Sequence, residues 1–277
     1  MKFNMFKSFQ LSGVGLHSGQ ECTAHLTPAK KGEGRFFVRT DLSQRPIIPA
    51  TIASVTSTIL STELGQGEAK IRTVEHLLAS LCACGIDDVM IEVKGAELPL
   101  LDGSGELWVN NILNNLDNKT PTFSSSSISI KEPIWVRKDD AFVAVLPSEK
   151  MLFTYGVDFP YAEIQNQWHT WYPEREKFST AIAPARTFGF AEQIQQLQQA
   201  GLILGGNLNN ALVCSQDGWV NPPLRFENEP VRHKILDLIG DLSLLGSIPC
   251  AHYLAYKASH QLHTELARRI ISLNGGY

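Results

Sequence analysis

The sequence predicts an α+β fold in two halves of similar topology, and three observations carry that prediction. A polar, hydroxyl-rich stretch from Asp117 to Ser129, DNKTPTFSSSSIS, divides the chain. Each half then repeats one plan: strands, a helix bearing a histidine (His76, His233), a glycine stop (Gly85, Gly246) and a further strand (Val89 to Val93, Tyr253 to Lys257). Finally, each half changes period, from the alternation of strands to the 3.6-residue repeat of helices. This places one domain at 1–123 and a second at 124–277. The two histidines are then expected to face each other across the boundary, a common place for a site.

In the first half, Gly13, Gly15 and Gly19 around Leu16-His17 read as a turn feeding the alternating strand Glu21 to Leu26. Arg35 to Thr40 is a second strand, and the β-branched run Thr51 to Thr62 reads as extended. Thr73 stands as the cap of a helix over Val74 to Leu81, with Gly85 as its stop. Asp88 to Val93 is a buried strand, Ala96 to Gly105 a loop, and Glu106 to Leu116 a second helix. In the second half, strands are expected at Ile128 to Lys131, Phe142 to Leu146 and Leu152 to Val157, and the aromatic-rich Tyr161 to Phe178 reads as irregular. Ala185 to Val213 alternates strand, helix (Ala191 to Gln199), glycine-rich turn and strand. Arg225 to Gly246 reads as one helix, followed by a strand at Ala251 to Lys257 and a last helix at Gln261 to Leu273.

At 277 residues, 43% hydrophobic and 19% charged, the chain has room for a large core. Its net charge of −4 gives no electrostatic case for nucleic acid, which demands a basic face. Five cysteines, an odd number, follow an opening MKFNMFKSFQ that lacks an apolar signal core, so a reducing cytoplasm is the expected compartment. Cys82 and Cys84 read as small core residues, since one intervening residue is poor spacing for a zinc knuckle. No window approaches the roughly 20 apolar residues of a membrane span, which leaves at most peripheral membrane contact.

The Arg225 to Gly246 segment holds the most chemistry. Val231, Ile235, Leu238, Leu242 and Leu245 share one stripe, while His233 and Asp237 point roughly the other way, flanked by Leu236 and Ile239. A His and an Asp one turn apart on a largely buried helix need a partner: either each other, or a metal ion that takes both from one side. A catalytic zinc takes three protein ligands and leaves one position open. His76 is the best third ligand because Glu75 precedes it directly. Neighbouring helix residues lie about 100° apart, so Glu75 serves a nearby water better than the ion. The alternative is that Glu75 belongs to a favourable first helical turn and His76 is a buried structural side chain. His260, taken alone, reads as structural more readily than catalytic, and Asp241, one turn beyond Asp237, is placed to orient a histidine. Asp102-Gly103-Ser104 is ordinary turn chemistry. Gly205-Gly206-Asn207 lacks the lysine and spacing of a phosphate loop, and HExxH is absent.

Several segments, in order, resemble one family. They are Gly13-Val14-Gly15-Leu16-His17-Ser18-Gly19, Thr73-Val74-Glu75-His76-Leu77, Glu97-Leu98-Pro99 with Leu101-Asp102-Gly103-Ser104, Ala185-Arg186-Thr187-Phe188-Gly189-Phe190, and Leu224-Arg225-Phe226-Glu227 running into Val231-Arg232-His233-Lys234 and Asp237. The set is similar to the UDP-3-O-acyl-N-acetylglucosamine deacetylases of lipid A synthesis, from Gly13 to about His260. The resemblance implies two domains of similar topology, each a helix layer packed on a β-sheet, with the active site between them. It implies an enzyme that hydrolyses the N-acetyl group of an acylated UDP-sugar and releases acetate; a monomer is the expected state. It also implies Zn2+ held by His76, His233 and Asp237, with Fe2+ as the alternative, since two imidazoles and a carboxylate accept either.

By the same resemblance, Glu75 is the general base that deprotonates the attacking water, and His260, oriented by Asp241, is the cationic acid or electrostatic partner. Thr187 and Lys234 line the reacting centre. Phe188 contacts substrate, the insert Phe190 to Val213 forms an acyl passage walled by Ile194, Leu202, Ile203 and Val213, and Asp158-Phe159 meets the uridine end. Which of Glu75 and His260 delivers the proton to the departing amine stays open. The chain departs from the pattern at Gly205 to Asn210 and across Tyr161 to Phe178, where substrate tails would bind. Two rival readings are therefore carried: deacetylation of another N-acetyl sugar, and a non-catalytic protein that binds an acylated sugar nucleotide.

Overall fold

The computed structural model describes residues 6–117 and 123–273, so part of the polar dividing stretch, 118–122, lies outside the described residues. The first half runs β1 (Phe9–Val14), β2 (Glu21–Pro28), β3 (Arg35–Arg39), β4 (Ile47–Pro49), β5 (Val55–Ser57), β6 (Glu63–Gln66), β7 (Ala69–Arg72), α1 (Glu75–Ala83), β8 (Val89–Lys94) and α2 (Glu106–Asn115). The second runs β9 (Ser125–Ser129), β10 (Ile134–Lys138), β11 (Ala141–Leu146), β12 (Leu152–Phe159), β13 (Gln165–Trp171), α3 (Phe178–Ala181), β14 (Phe188–Phe190), α4 (Ala191–Gln199), β15 (Leu212–Ser215), β16 (Gly218–Trp219), α5 (Glu229–Leu242), β17 (Ile248–Cys250), β18 (His252–Tyr256) and α6 (His260–Leu273).

The shared plan extends to strand order. One sheet is ordered β1-β2-β8-β3-β4 and the other β10-β11-β18-β12-β13. Read across either sheet, successive neighbours are antiparallel, antiparallel, parallel and antiparallel. In both halves a small three-stranded sheet is inserted between the fourth strand and the long helix: β5-β6-β7 in the first, β14-β15-β16 in the second. This is the α+β fold in two units of similar topology that the sequence predicts.

Helices α1 and α5 pack together at the centre. All nine residues of α1 are buried, and of the fourteen in α5 only Arg232 and Lys234 reach solvent. Val231, Ile235, Leu238 and Leu242 are buried as the stripe requires, and so are Leu236 and Ile239 on the opposite side. Each such side chain stabilises the fold by about 1.5–3 kcal/mol, which offsets the cost of the charged groups carried among them. Gly240 permits the approach, because a Cβ there would stand 2.2 Å from the Glu75 carbonyl oxygen.

Several boundaries differ from the sequence reading. The helix expected over Arg225 to Gly246 begins only at Glu229, with Pro230 in its first turn, and its last residues, Ser243–Leu245, tighten into a 3-10 turn. Thr73 is not a cap. Its φ of +58° is left-handed and its hydroxyl donates to Glu97 Oε1 at 2.8 Å, while Val74 takes the cap position. The run Thr51 to Thr62 opens as a 3-10 turn, Ile52–Ser54, before β5. The segment read as irregular contains β13, an edge strand paired with β12.

Candidate active site

The start of α1 is fixed by a buried carboxylate. Glu97 accepts the main-chain N–H of His17 at 2.9 Å, that of Ser18 at 2.8 Å, and the Thr73 hydroxyl. The glycine turn at Gly15 to Gly19 and the residues before α1 are thereby tied to one side chain. Glu75 and His76 follow immediately, in the first turn of the helix and buried.

Across the helix contact stand His233 and Asp237. The rings of His76 and His233 meet edge to face with centroids 4.9 Å apart. Asp237 Oδ1 lies 3.3 Å from His233 Nε2 and 3.7 Å from His76 Nε2. Donors around a tetrahedral zinc with bonds of about 2.0–2.1 Å stand about 3.3 Å apart, so the three atoms are spaced as ligands of one ion. His233 Nδ1 donates to the Ala185 carbonyl at 3.0 Å, which leaves the Nε2 lone pair facing the triplet. Asp237 Oδ1 is buried without a hydrogen-bond partner among the described residues, and such an orphaned acceptor costs about 1–3 kcal/mol or more. A cation would satisfy it.

The protonation states agree. Burial drives His76 down to about 3, with the neighbouring His233 adding to the effect, and burial likewise lowers His233. Burial would raise Asp237, but Lys234, His233, His260 and His76 hold it well below the usual carboxylate range. At neutral pH the triplet is therefore two neutral imidazoles and a carboxylate, the forms that bind metal. These residues are compatible with a metal cofactor.

Beside the triplet lies a second cluster. Asp241 Oδ2 accepts from His260 Nδ1 and from His263 Nδ1, each at 2.8 Å, and Thr62 donates its hydroxyl to Asp241 Oδ1 at 2.5 Å. His260 Nε2 stands 3.9 Å from Glu75 Oε1, whose other oxygen accepts the Thr62 N–H at 3.1 Å. Burial pushes Glu75 up to about 7, opposed by the His260 charge and reinforced by Asp241 and Asp237. Burial alone would lower His260, but Asp241 in hydrogen-bond contact, with Glu75 and Asp237, raises it to about 9. Near pH 8 the pair thus offers a carboxylate base beside an imidazolium.

Of the other expected residues, Lys234 and Phe188 touch the triplet. Lys234 Nζ donates to Asp237 Oδ2 at 2.7 Å and lies 6.0 Å from the centre of the Phe188 ring, which meets His233 edge to face. Thr187 is held by its main chain, donating to the Gly103 carbonyl and accepting from Leu212 N–H. Phe159 packs on Phe188 and Phe190 at the root of the second insert. Val213 is buried in β15, whereas Ile194, Leu202 and Ile203 are half-buried, and α4 has no buried residue at all. A helix whose Ala191, Ile194 and Leu197 are left half-covered presents an apolar face still available for contact.

The sequence reading assigned no role to three residues the structure draws in. Thr62 and His263 hold Asp241, and nothing in a single Ser/Thr-rich run or a lone helical histidine signals that. His17 is buried, accepts the Ile203 N–H at Nδ1, and leaves Nε2 without a partner among the described residues. Its place within a glycine-rich motif was the available signal.

Comparison with known proteins gives the chain its family. Residues 4–272 match the family model for UDP-3-O-acyl N-acetylglycosamine deacetylase. The chain is 57% identical to the UDP-3-O-acyl-N-acetylglucosamine deacetylase of Trichormus variabilis over 267 residues, covering 95% of both proteins. It is 57% identical to the enzyme of the same name from Synechocystis sp. over 261 residues, covering 94% of this chain and 95% of that one. A protein of Arabidopsis thaliana named probable UDP-3-O-acyl-N-acetylglucosamine deacetylase 1, mitochondrial, is 43% identical over 283 residues, covering 95% of this chain and 86% of its own length. No helix among the described residues is long and apolar enough to cross a membrane. With a family model spanning nearly its full length and relatives this similar end to end, the chain belongs to the UDP-3-O-acyl N-acetylglycosamine deacetylase family and is an enzyme, a deacetylase.

Proposed function

We propose that this enzyme hydrolyses the N-acetyl group of UDP-3-O-acyl-N-acetylglucosamine, giving UDP-3-O-acyl-glucosamine and acetate, as a step of lipid A biosynthesis. The observation that carries the reading is the buried triplet of His76, His233 and Asp237, with Asp237 Oδ1 unpartnered among the described residues and Glu75 and His260 beside it. The triplet would hold one Zn2+, with Fe2+ as the alternative occupant. Such an ion, when bound, supplies Lewis acidity that makes water nucleophilic near neutral pH and polarises a carbonyl.

The chain's own residues perform the rest. Glu75 takes the proton of the attacking water, its carboxylate steered by the Thr62 N–H, and the departing amine nitrogen receives a proton from Glu75 or from His260 as its bond to the acetyl carbon breaks. The His260 imidazolium, oriented by Asp241, faces the charge that develops on the acetamide oxygen, and the Thr187 hydroxyl donates to the same oxygen. Donors of this kind contribute about 3–4 kcal/mol in a site that excludes water. Lys234, paired with Asp237, keeps that carboxylate ionised and aimed. Phe188 and Phe159 contact the sugar nucleotide, and Ile194, Leu202, Ile203 and Val213 line the path of the acyl chain. The domains divide at 123/124, and the enzyme works as a cytoplasmic monomer.

Acetate release from UDP-3-O-acyl-GlcNAc by wild type and Glu75→Ala, with metal analysis of both, tests the reading. Wild type is expected to release acetate and carry about one equivalent of metal, and Glu75→Ala to keep the metal and lose turnover. Turnover on simpler N-acetyl sugars but not on the acylated nucleotide would reassign the substrate. Full activity in Glu75→Ala would remove the base from the scheme.

A further inference from the structure

Asp241 carries a second histidine that the proposed reaction does not use. His263 lies one turn beyond His260 on α6 and is fully buried. Its Nδ1 meets the same Oδ2 oxygen that His260 Nδ1 meets, at the same 2.8 Å distance. Counting protons fixes its form. An ionised carboxylate only accepts, so His263 Nδ1 carries a hydrogen. Burial would raise Asp241, but the His260 charge and the two imidazole hydrogen bonds keep it low, while burial holds His263 below the usual imidazole range. His263 is thus a neutral Nδ1–H tautomer with a bare lone pair on Nε2.

That lone pair faces the Tyr155 hydroxyl at 3.1 Å, and the same hydroxyl lies 2.7 Å from the Ala258 carbonyl. Tyr155 has one hydrogen for two acceptors, so its bond to His263 is shared. The Asp241 bond is the one His263 makes without competition. Thr62 holds the opposite carboxylate oxygen. An Asp241 gripped at Oδ1 by a hydroxyl and at Oδ2 by two N–H groups cannot turn without breaking one of them.

We infer that His263 is a positioning residue for the deacetylation: with Thr62 it clamps Asp241, so that Oδ2 holds His260 with Nε2 directed at Glu75 and the reacting centre. The inference rests on the proposed role of His260. A purely structural His263 would fill the same volume, and a leucine would replace it without effect on the chemistry.

Two near-isosteres separate these accounts. His263→Asn places an amide N–H where Nδ1 stands and keeps the donor to Asp241. His263→Gln places its amide nearer Nε2, keeping a partner for Tyr155 and losing the donor. The experiment is steady-state acetate release by wild type, His263→Leu, His263→Asn and His263→Gln, with metal content and thermal midpoint measured for each. Leu and Gln are expected to lower kcat on the order of tenfold while KM stays within about twofold, the signature of an interaction made in the transition state. Asn is expected to recover most of the lost kcat, and nitrogen NMR of wild type to show the Nδ1–H tautomer at His263. Unchanged kcat in folded His263→Leu, or rescue by Gln and not by Asn, overturns the clamp. Should His263→Leu not fold, the Asn and Gln pair decides alone. An inactive wild type would instead bring down the functional reading on which the clamp depends.

Discussion

The two halves share a strand order and a helix placement, yet they contribute unequally to the site. The first supplies Glu75 and His76 from one turn of a nine-residue helix. The second supplies His233, Asp237 and Asp241 from three successive turns of a fourteen-residue helix, and His260 and His263 from the helix after β18. The inserts differ as well. The first sends Thr62 inward to both Glu75 and Asp241, while the second carries the half-covered α4 outward. Duplication of the fold thus brings two helices face to face, and the chemistry depends on what each helix places at the contact.

That comparison can be broken in graded ways. The largest effect is expected at the first half's base: Glu75→Gln should cost about 10²–10⁴-fold in kcat and leave metal content unchanged. Next is the helix contact. Gly240→Ala puts a methyl 2.2 Å from the Glu75 carbonyl, forcing the halves apart at about 1–3 kcal/mol, measurable by denaturation and by weakened metal retention. Thr62→Val leaves Asp241 Oδ1 without its donor, at about 1–2 kcal/mol, with a fall in kcat that KM does not share.

The pH dependence compares one group from each half. In the proposed roles Glu75 acts ionised, a form lost as pH falls through about 7, and His260 acts charged, a form lost as pH rises through about 9. The rate profile should therefore be a bell between those values, its acid limb moving lower once a cation stands beside Glu75. Glu75→Gln should abolish the acid limb of any residual activity. The smallest effect is expected on the second insert, where Leu208 is 50% exposed. Leu208→Ser should change stability by no more than about 0.5 kcal/mol, whereas Ile194→Ser, on the proposed acyl wall, should raise KM for long-chain acyl substrates more than for short ones.

Much of this was legible in the sequence because it is local. His233 and Asp237 sit one turn apart on a helix whose periodicity reads plainly, and the α4 boundaries, Ala191 to Gln199, match the reading. What escaped is set by tertiary partners. Thr73 looks like a cap in isolation, but Glu97, 24 residues later, competes for its hydroxyl and wins. β13 is an edge strand in which only Trp171 is buried and Trp168 faces outward beside polar neighbours, so Gln165–Trp171 carries little of the alternation that marks a half-buried strand. His263 reads as one histidine in a helix, and its partners lie on Asp241 and Tyr155, which no spacing rule connects.

In the proposed function one ion bridges both halves at the α1–α5 contact. Metal stoichiometry in wild type, His76→Ala and His233→Ala, each confirmed folded by circular dichroism, tests it most directly. About one equivalent is expected in wild type and loss from both single variants, because each half would supply an indispensable ligand. Full metal retention in His76→Ala, with loss confined to His233→Ala, would place the ion on the second half alone and contradict it.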